Sequence, residues 1–227
     1  KDLSGYDVYI GRKNSTYNLE ESIWANPFVI GQHGTREEVI EKYELWLNSQ
    51  PQLLRRLPEI RDKVLGCWCA PQKCHGEVLR RLSDSKYVRN WFSNMLPMDN
   101  SISYKGINYL TVENFYQAMK LSKERLRHEI AILNPFEAKK QIRNKDKYPW
   151  RADWSKEMAL KVMEFGLRQK FAKGTSWHRK LMITKDLGLE LVEWANWPDL
   201  FWAKNLDTGN GENNLGKLLM KIRDEKE

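Results

Sequence analysis

The 227-residue chain is 41% hydrophobic and 30% charged, a balance that excludes both a disulfide-stapled miniprotein and a disordered tail. Its 38 basic and 30 acidic groups leave a net charge of +8, and no apolar run reaches the roughly 18 residues of a membrane span. Three cysteines crowded into positions 67–74 speak against an oxidised secreted scaffold, so a soluble, cytoplasmic protein of one large or two small domains is expected.

Along the chain, Val8-Tyr9-Ile10 reads as a short strand ended by Gly11, with a loop through Asn26-Pro27 after it. Thr35 and Glu38 make a capping box, and Val39, Ile40, Tyr43, Trp46 and Leu47 share one face, which predicts a helix over 36–48. Pro51 and Pro58 bracket a shorter helix, 64–69 reads as a buried strand and 76–82 as a helix. That β-α-α-β-α order predicts a small α/β domain over 1–85, with a polar linker at 83–90 and a second domain over 86–227. The second domain opens irregularly at Trp91–Asn94. A hairpin follows, turning at Lys105-Gly106, and Thr111 then caps a helix running to about Ser122. Asn134-Pro135-Phe136-Glu137 opens another helix, 155–172 reads as a long one, 189–192 as a strand and 214–222 as a final helix. The fold class expected is α+β, mainly helical with small β elements in the second domain.

Charge is unevenly spread. Residues 1–85 hold 12 basic and 12 acidic groups, whereas 120–185 hold 18 and 7. Such a surplus suits phosphates or nucleic acid, and seven of the ten tryptophans lie from Trp91 onward, where they could stack bases. An ordinary solvated face has the same composition.

Four constellations could carry chemistry. On the 111–122 helix, Glu113, Gln117 and Lys120 form a polar stripe beside Tyr116, with Glu113 in the first turn, where the helix dipole favours an anion. A solvated Glu–Lys face is the bland alternative. The Asn205–Asn214 loop feeds a helix N-terminus that could accept a phosphate, or is simply a capped turn. Trp150, Arg151, Asp153 and Trp154, with Trp197, Asp199 and Trp202, could sandwich a base, or pack a core with the aspartates as caps. Cys67, Cys69, Cys74 and His75 number correctly for tetrahedral zinc. Cys74 and His75 are adjacent, however, where structural sites space ligand pairs by two to four residues, so no metal is expected.

Phe92-Ser93-Asn94, the run Thr111 to Lys120, Arg151-x-Asp153-Trp154, Val162-Met163, Lys170-Phe171, Asp199-x-x-Trp202 and Gly211-x-Asn213-x-Leu215-Gly216 together resemble the NADAR family of YbiA-like N-glycosidases, over about 90–225. Residues 1–85, with Tyr9–Arg12, Ala25–Phe28 and the Cys/His segment, resemble an uncharacterised domain found fused to it. The resemblance implies hydrolysis of an N-glycosidic bond, either of ADP-ribose on guanine or of a phosphorylated riboflavin precursor, without a cofactor. It carries catalytic positions onto Glu113, Trp154 and Asp199. It places Phe92, Ser93, Asn94, Tyr116, Gln117, Lys120, Arg151, Trp202 and Asn213 around the substrate. Ala203 departs from the family, which commonly has glycine after the tryptophan.

The expected chemistry is a sugar cation stabilised by Glu113, with Asp199 positioning water or assisting proton transfer, tryptophans holding the base or sugar, and Lys120 on a pyrophosphate. The basic stretch favours ADP-ribosylated guanine in DNA as substrate, with an ADP-ribosyltransferase toxin as a potential counterpart and no membrane partner. A non-hydrolysing ADP-ribose or NAD reader and a general nucleic-acid-binding module are the readings from other classes.

Overall fold

The computed structural model describes residues 5–69, 71–84 and 90–225, which form two compact units. One joins Lys1–Trp91 to Val192–Asn213, the other Phe92–Leu191 to Asn214–Glu227. Most of the stretch expected as a linker, residues 85–89, lies outside the described residues.

In the first unit, β1 (Val8–Tyr9) pairs in parallel with β2 (Leu65–Gly66), Val8 opposite Leu65. Parallel strands need a crossover, supplied here by α1 (Arg36–Asn48), α2 (Pro51–Arg56) and a 3₁₀ turn at Leu57–Ile60. The helix α3 (His75–Ser83) follows β2 and completes the expected order. Thr35 closes its capping box, with Glu38 Oε2 accepting from the Thr35 amide at 2.7 Å. Val39, Tyr43 and Leu47 are buried along one face of α1, and the Tyr43 hydroxyl donates to the Trp24 carbonyl at 2.9 Å. The strand expected at 64–69 shrinks to two residues because the chain turns away at Cys67–Cys69. Residues 192–213 join this unit through Val192, Trp194 and Leu206 in its apolar core, and the Arg55 guanidinium donates to the Leu206 carbonyl at 2.8 Å. Trp194–Ala195 and Lys204–Asn205 pair there in parallel.

The second unit is dominated by helices. The expected hairpin is present as β3 (Ile102–Tyr104) and β4 (Ile107–Tyr109), with Lys105 at φ 50° and Gly106 at φ 76°, the two left-handed positions of a tight twisted turn. The helix α4 (Val112–Met119) packs among β4, α5 (Glu124–Ala131), α6 (Pro135–Gln141) and α7 (Lys156–Lys170), and every one of its residues is buried. Close approach of α7 requires Gly166, since a Cβ there would sit 3.0 Å from Val112 Cγ1. The chain continues through α8 (Ser176–Asp186) and closes with α9 (Asn214–Asp224).

Two local expectations change, and two helices appear that the sequence did not announce. The helix capped by Thr111 stops at Met119, because Leu121 leaves to form a bridge with Trp150. Residues 189–192 form no strand; the Leu189 carbonyl is taken by Arg223 Nη1 at 2.6 Å instead. The helices α5 and α8 have no visible period in the sequence, α5 burying Leu126, Ile130 and Ala131 among charged residues. Among the described residues, no helix is long and apolar enough to cross a membrane.

Candidate active site

The α4 helix is held by its own first turn. Thr111 Oγ1 accepts from the Asn114 amide at 3.1 Å, and Asn114 Nδ2 donates to the carbonyls of Ile130 and Leu133, both at 2.9 Å. Asn114 thus clamps α4 to the end of α5. Its position three residues after a threonine cap was the only sequence signal for this.

The polar stripe is buried rather than solvated. Glu113 is 6% exposed, Gln117 3% and Lys120 8%. Gln117 Nε2 donates to Glu113 Oε1 at 2.7 Å, and Lys120 Nζ donates to Gln117 Oε1 at 2.8 Å. The chemistry of the neighbours fixes the amide orientation, since its oxygen faces an ammonium and its NH₂ a carboxylate. Gln117 is therefore a neutral relay between a buried anion and a buried cation. Among the described residues, Glu113 Oε2 has no hydrogen-bond partner and no cation lies within ion-pair distance of the carboxylate.

Aromatic rings surround the cation. Lys120 Nζ lies 4.5 Å from the Tyr116 ring centre, 4.8 Å from that of Trp150 and 6.0 Å from that of Trp154. Such contacts each contribute on the order of 1–2 kcal/mol when desolvated and offset the loss of water around the ammonium. Tyr116 and Trp154 meet edge to face at 5.7 Å. The Arg151 amide donates to the Lys120 carbonyl at 2.7 Å, and its guanidinium forks onto Asp153 at 2.5 and 2.7 Å. That hydrogen bonding holds the exposed Asp153 carboxyl below the usual carboxylate range. Asp153 caps no helix; Ser155 caps α7.

On the N-terminal side, the Glu113 amide donates to the Asn94 carbonyl at 3.1 Å. Asn94 is buried, its Nδ2 meeting Met163 Sδ at 3.2 Å while, among the described residues, its Oδ1 has no hydrogen-bond partner. The Ser93 carbonyl accepts from Lys170 Nζ at 2.7 Å, and Phe92 is 1% exposed. Lys170, which the sequence marks only within the Lys170-Phe171 motif and not as a site residue, is fully buried with its ammonium 4.1 Å from the Trp177 ring centre.

The structure therefore brings Asn94, Glu113, Tyr116, Gln117, Lys120, Trp150, Arg151 and Trp154 together within the second unit. Asp199, Trp202 and Asn213 belong to the first. There Asp199 Oδ1 accepts from the Trp202 amide at 3.1 Å, so it closes a turn. Asn213, 2% exposed and at φ 53°, accepts from the Glu193 amide at 3.0 Å through Oδ1. Gly211 is obligatory beside it, because a Cβ would fall 2.1 Å from the Ala203 carbonyl oxygen.

A second cluster sits in the turn between β2 and α3. The sulfurs of Cys67, Cys69 and Cys74 all lie within 4.8 Å of one another, and Cys74 Sγ is 3.5 Å from His75 Nδ1. A hydrogen bond from Cys74, and a weaker influence of His75, pull the Cys67 thiol down, while donating that bond pushes Cys74 up.

Two family models match the chain. The family described as NADAR domain matches residues 81–226, and a domain of unknown function (DUF4326) matches residues 1–85. The chain is 42% identical over 86 residues to an uncharacterized protein of Acanthamoeba polyphaga mimivirus, covering 34% of this chain and 65% of that one. It is 35% identical over 127 residues to a riboflavin biosynthesis protein of Vibrio vulnificus, covering 55% of this chain and 33% of that one. It is 33% identical over 125 residues to the N-glycosidase YbiA of Shigella boydii, covering 55% of this chain and 74% of that one. The chain thus spans less than two thirds of the mimivirus and Vibrio proteins. The solved structure of Escherichia coli YbiA aligns with a TM-score of 0.49 at 31% identity, covering 59% of this chain and 75% of that one.

Proposed function

Because the chain belongs to the NADAR family, we propose that it is an N-glycosidase that hydrolyses a ribose–nitrogen bond, with ADP-ribose on guanine, in DNA or nucleotide, as its substrate. The observation that carries this reading is Glu113, a carboxylate removed from water, oriented through one oxygen and, among the described residues, without a cation against it.

Breaking the bond between the anomeric carbon and the base nitrogen builds positive charge on the sugar. A preoriented carboxylate in a dry site stabilises that charge far better than one in water, because no solvent has to reorganise as the charge appears. Glu113 supplies the carboxylate from the first turn of α4. Gln117 holds the carboxylate in place, and Lys120 in turn holds Gln117. Water adds to the anomeric carbon and the departing nitrogen takes up a proton, giving free ADP-ribose and the unmodified base. Tyr116 and Trp154 offer flat surfaces for a base or sugar, and the basic stretch over 120–185 favours a substrate rich in phosphate. Asp199 and Trp202 keep the roles that the family resemblance implies, proton handling or water positioning for the first and stacking for the second.

Similarity to a protein named for riboflavin biosynthesis supports the second reading, hydrolysis of a phosphorylated riboflavin precursor. The test is incubation of the full chain with ADP-ribosylated guanine DNA, free ADP-ribosylated guanosine and a riboflavin precursor, with release followed by mass spectrometry. Release of ADP-ribose from the first two is expected. Turnover of the precursor alone moves the substrate to the second reading. Tight ADP-ribose binding without any release makes the protein a reader.

A further inference from the structure

The turn between β2 and α3, in the first unit, gathers groups that the proposed chemistry does not use. Tetrahedral zinc with bonds of about 2.3 Å to sulfur and 2.0–2.1 Å to nitrogen places sulfurs about 3.8 Å apart and sulfur and nitrogen about 3.6 Å apart. Here Cys67 Sγ and Cys69 Sγ are 3.5 Å apart, Cys74 Sγ and His75 Nδ1 are 3.5 Å apart, and all three sulfurs lie within 4.8 Å. We propose that Cys67, Cys69, Cys74 and Nδ1 of His75 form a tetrahedral structural zinc site that ties this turn to the end of β1.

The adjacency of Cys74 and His75, which counted against a metal in the sequence, is accommodated by the helix start. Cys74 is the N-cap of α3, in extended conformation, and His75 is its first residue, so the two side chains converge. The histidine is 5% exposed, and its Nε2 lies 3.0 Å from the Ile10 carbonyl. That contact makes Nε2 the protonated nitrogen and leaves Nδ1 with its lone pair toward the sulfurs, the outer-shell arrangement of metal-bound histidines. The Tyr43 ring packs edge to face on the imidazole at 4.9 Å and holds its plane.

Three thiolates around a divalent ion leave one negative charge. The Gly76 amide, at the positive end of α3, donates to Cys74 Sγ at 3.4 Å. Arg36 donates to the Lys73 carbonyl at 3.2 Å, which holds its guanidinium beside the turn. These donors offset that charge. The three sulfurs and one imidazole select zinc over hard cations, and filling all four positions from protein makes the site structural rather than catalytic. Binding displaces the protons that the thiols carry, so affinity rises with pH. A disulfide would use only two of the three sulfurs and requires them about 2.05 Å apart.

The experiment measures metal in the full chain, purified under reductant and without chelator. One zinc per chain is expected, falling at least about tenfold in Cys67→Ser and Cys74→Ser. Cobalt titrated into the zinc-free chain should give the visible bands of a tetrahedral site with thiolate charge transfer. His75→Gln, which keeps all three sulfurs, should shift those bands and weaken metal binding at least about tenfold against a chromophoric chelator. The wild-type measurement stands even if a variant fails to fold. A wild-type chain with three reactive thiols, no stoichiometric zinc and no cobalt bands overturns the proposal. So does bound iron in place of zinc, or a disulfide in the freshly purified chain. Unchanged cobalt bands in His75→Gln remove the histidine as fourth ligand and overturn the site as drawn.

Discussion

Helices α4 and α7 both space acidic and basic or amide groups by one turn, yet α4 is buried along its length while α7 keeps its charged face in water. On α7, Glu157 pairs with Lys161 at 2.6 Å, both well exposed, and Glu164 joins Arg168 and Lys221 at 2.7 and 2.8 Å. On α4 the group one turn after the acid is an amide, and the cation comes three residues later. The difference teaches that residue spacing describes which groups can meet, while burial decides what the meeting does. A solvated ion pair is screened and adds little. The anion separated from its cation by a neutral relay and removed from water keeps its charge available for a developing cation.

The sharpest way to break this comparison is to neutralise one acid on each helix. Glu113→Gln is expected to lower turnover on the order of 10³-fold with the chain still folded, the scale of losing a charge-stabilising group in a dry site. Glu164→Gln should leave turnover within about twofold, as expected of a surface group remote from chemistry. Rates of base release measure both, and full activity of Glu113→Gln would remove that residue from the mechanism.

Asn114→Ala tests the clamp that holds α4 against the end of α5. One buried and one half-buried carbonyl would lose their donor, so a loss of about 2 kcal/mol in urea unfolding is expected. A loss below about 0.5 kcal/mol would show that the clamp is incidental. Lys120→Met should act less on stability than on binding: the relay loses its anchor and the substrate its ammonium, so KM should rise about tenfold with a smaller fall in kcat.

The smallest effects belong to α7. Hydrogen bonds from Lys221 and then Arg168 hold the Glu164 carboxyl below its ordinary value of 4.5. Its folded pKa is depressed, so the stability it contributes is present above that value and is lost as pH falls through the folded pKa. Acid unfolding curves of wild type and Glu164→Gln should therefore converge at low pH. Lys161→Ala should change nothing measurable.

Much of the local structure was legible because its causes are local. Thr35 with Glu38, Thr111 and Asn134 with Pro135 cap helices where their backbone chemistry predicts, and Lys105-Gly106 turns the hairpin. The misses have equally physical causes. Residues 189–192 looked like a strand by propensity but had no edge to pair with, and α5 carried too few apolar residues to display a period. In the candidate site, Glu113, Gln117 and Lys120 were visible as a stripe. Their relay, the ring cage completed by Trp150 and the clamp by Asn114 were not, because each depends on segments distant in sequence.

By itself, then, the chain's order of residues determined where helices begin, which family the second part resembles and which acid to suspect, since caps, turns and motifs are matters of neighbouring atoms. Tertiary packing alone settled that the polar stripe is dry, that residues 192–213 pack with the first unit and that three sulfurs converge at one turn with His75 Nδ1 3.5 Å from one of them. Desolvation and convergence are set by what folds over a residue, and that is written nowhere in its immediate neighbours.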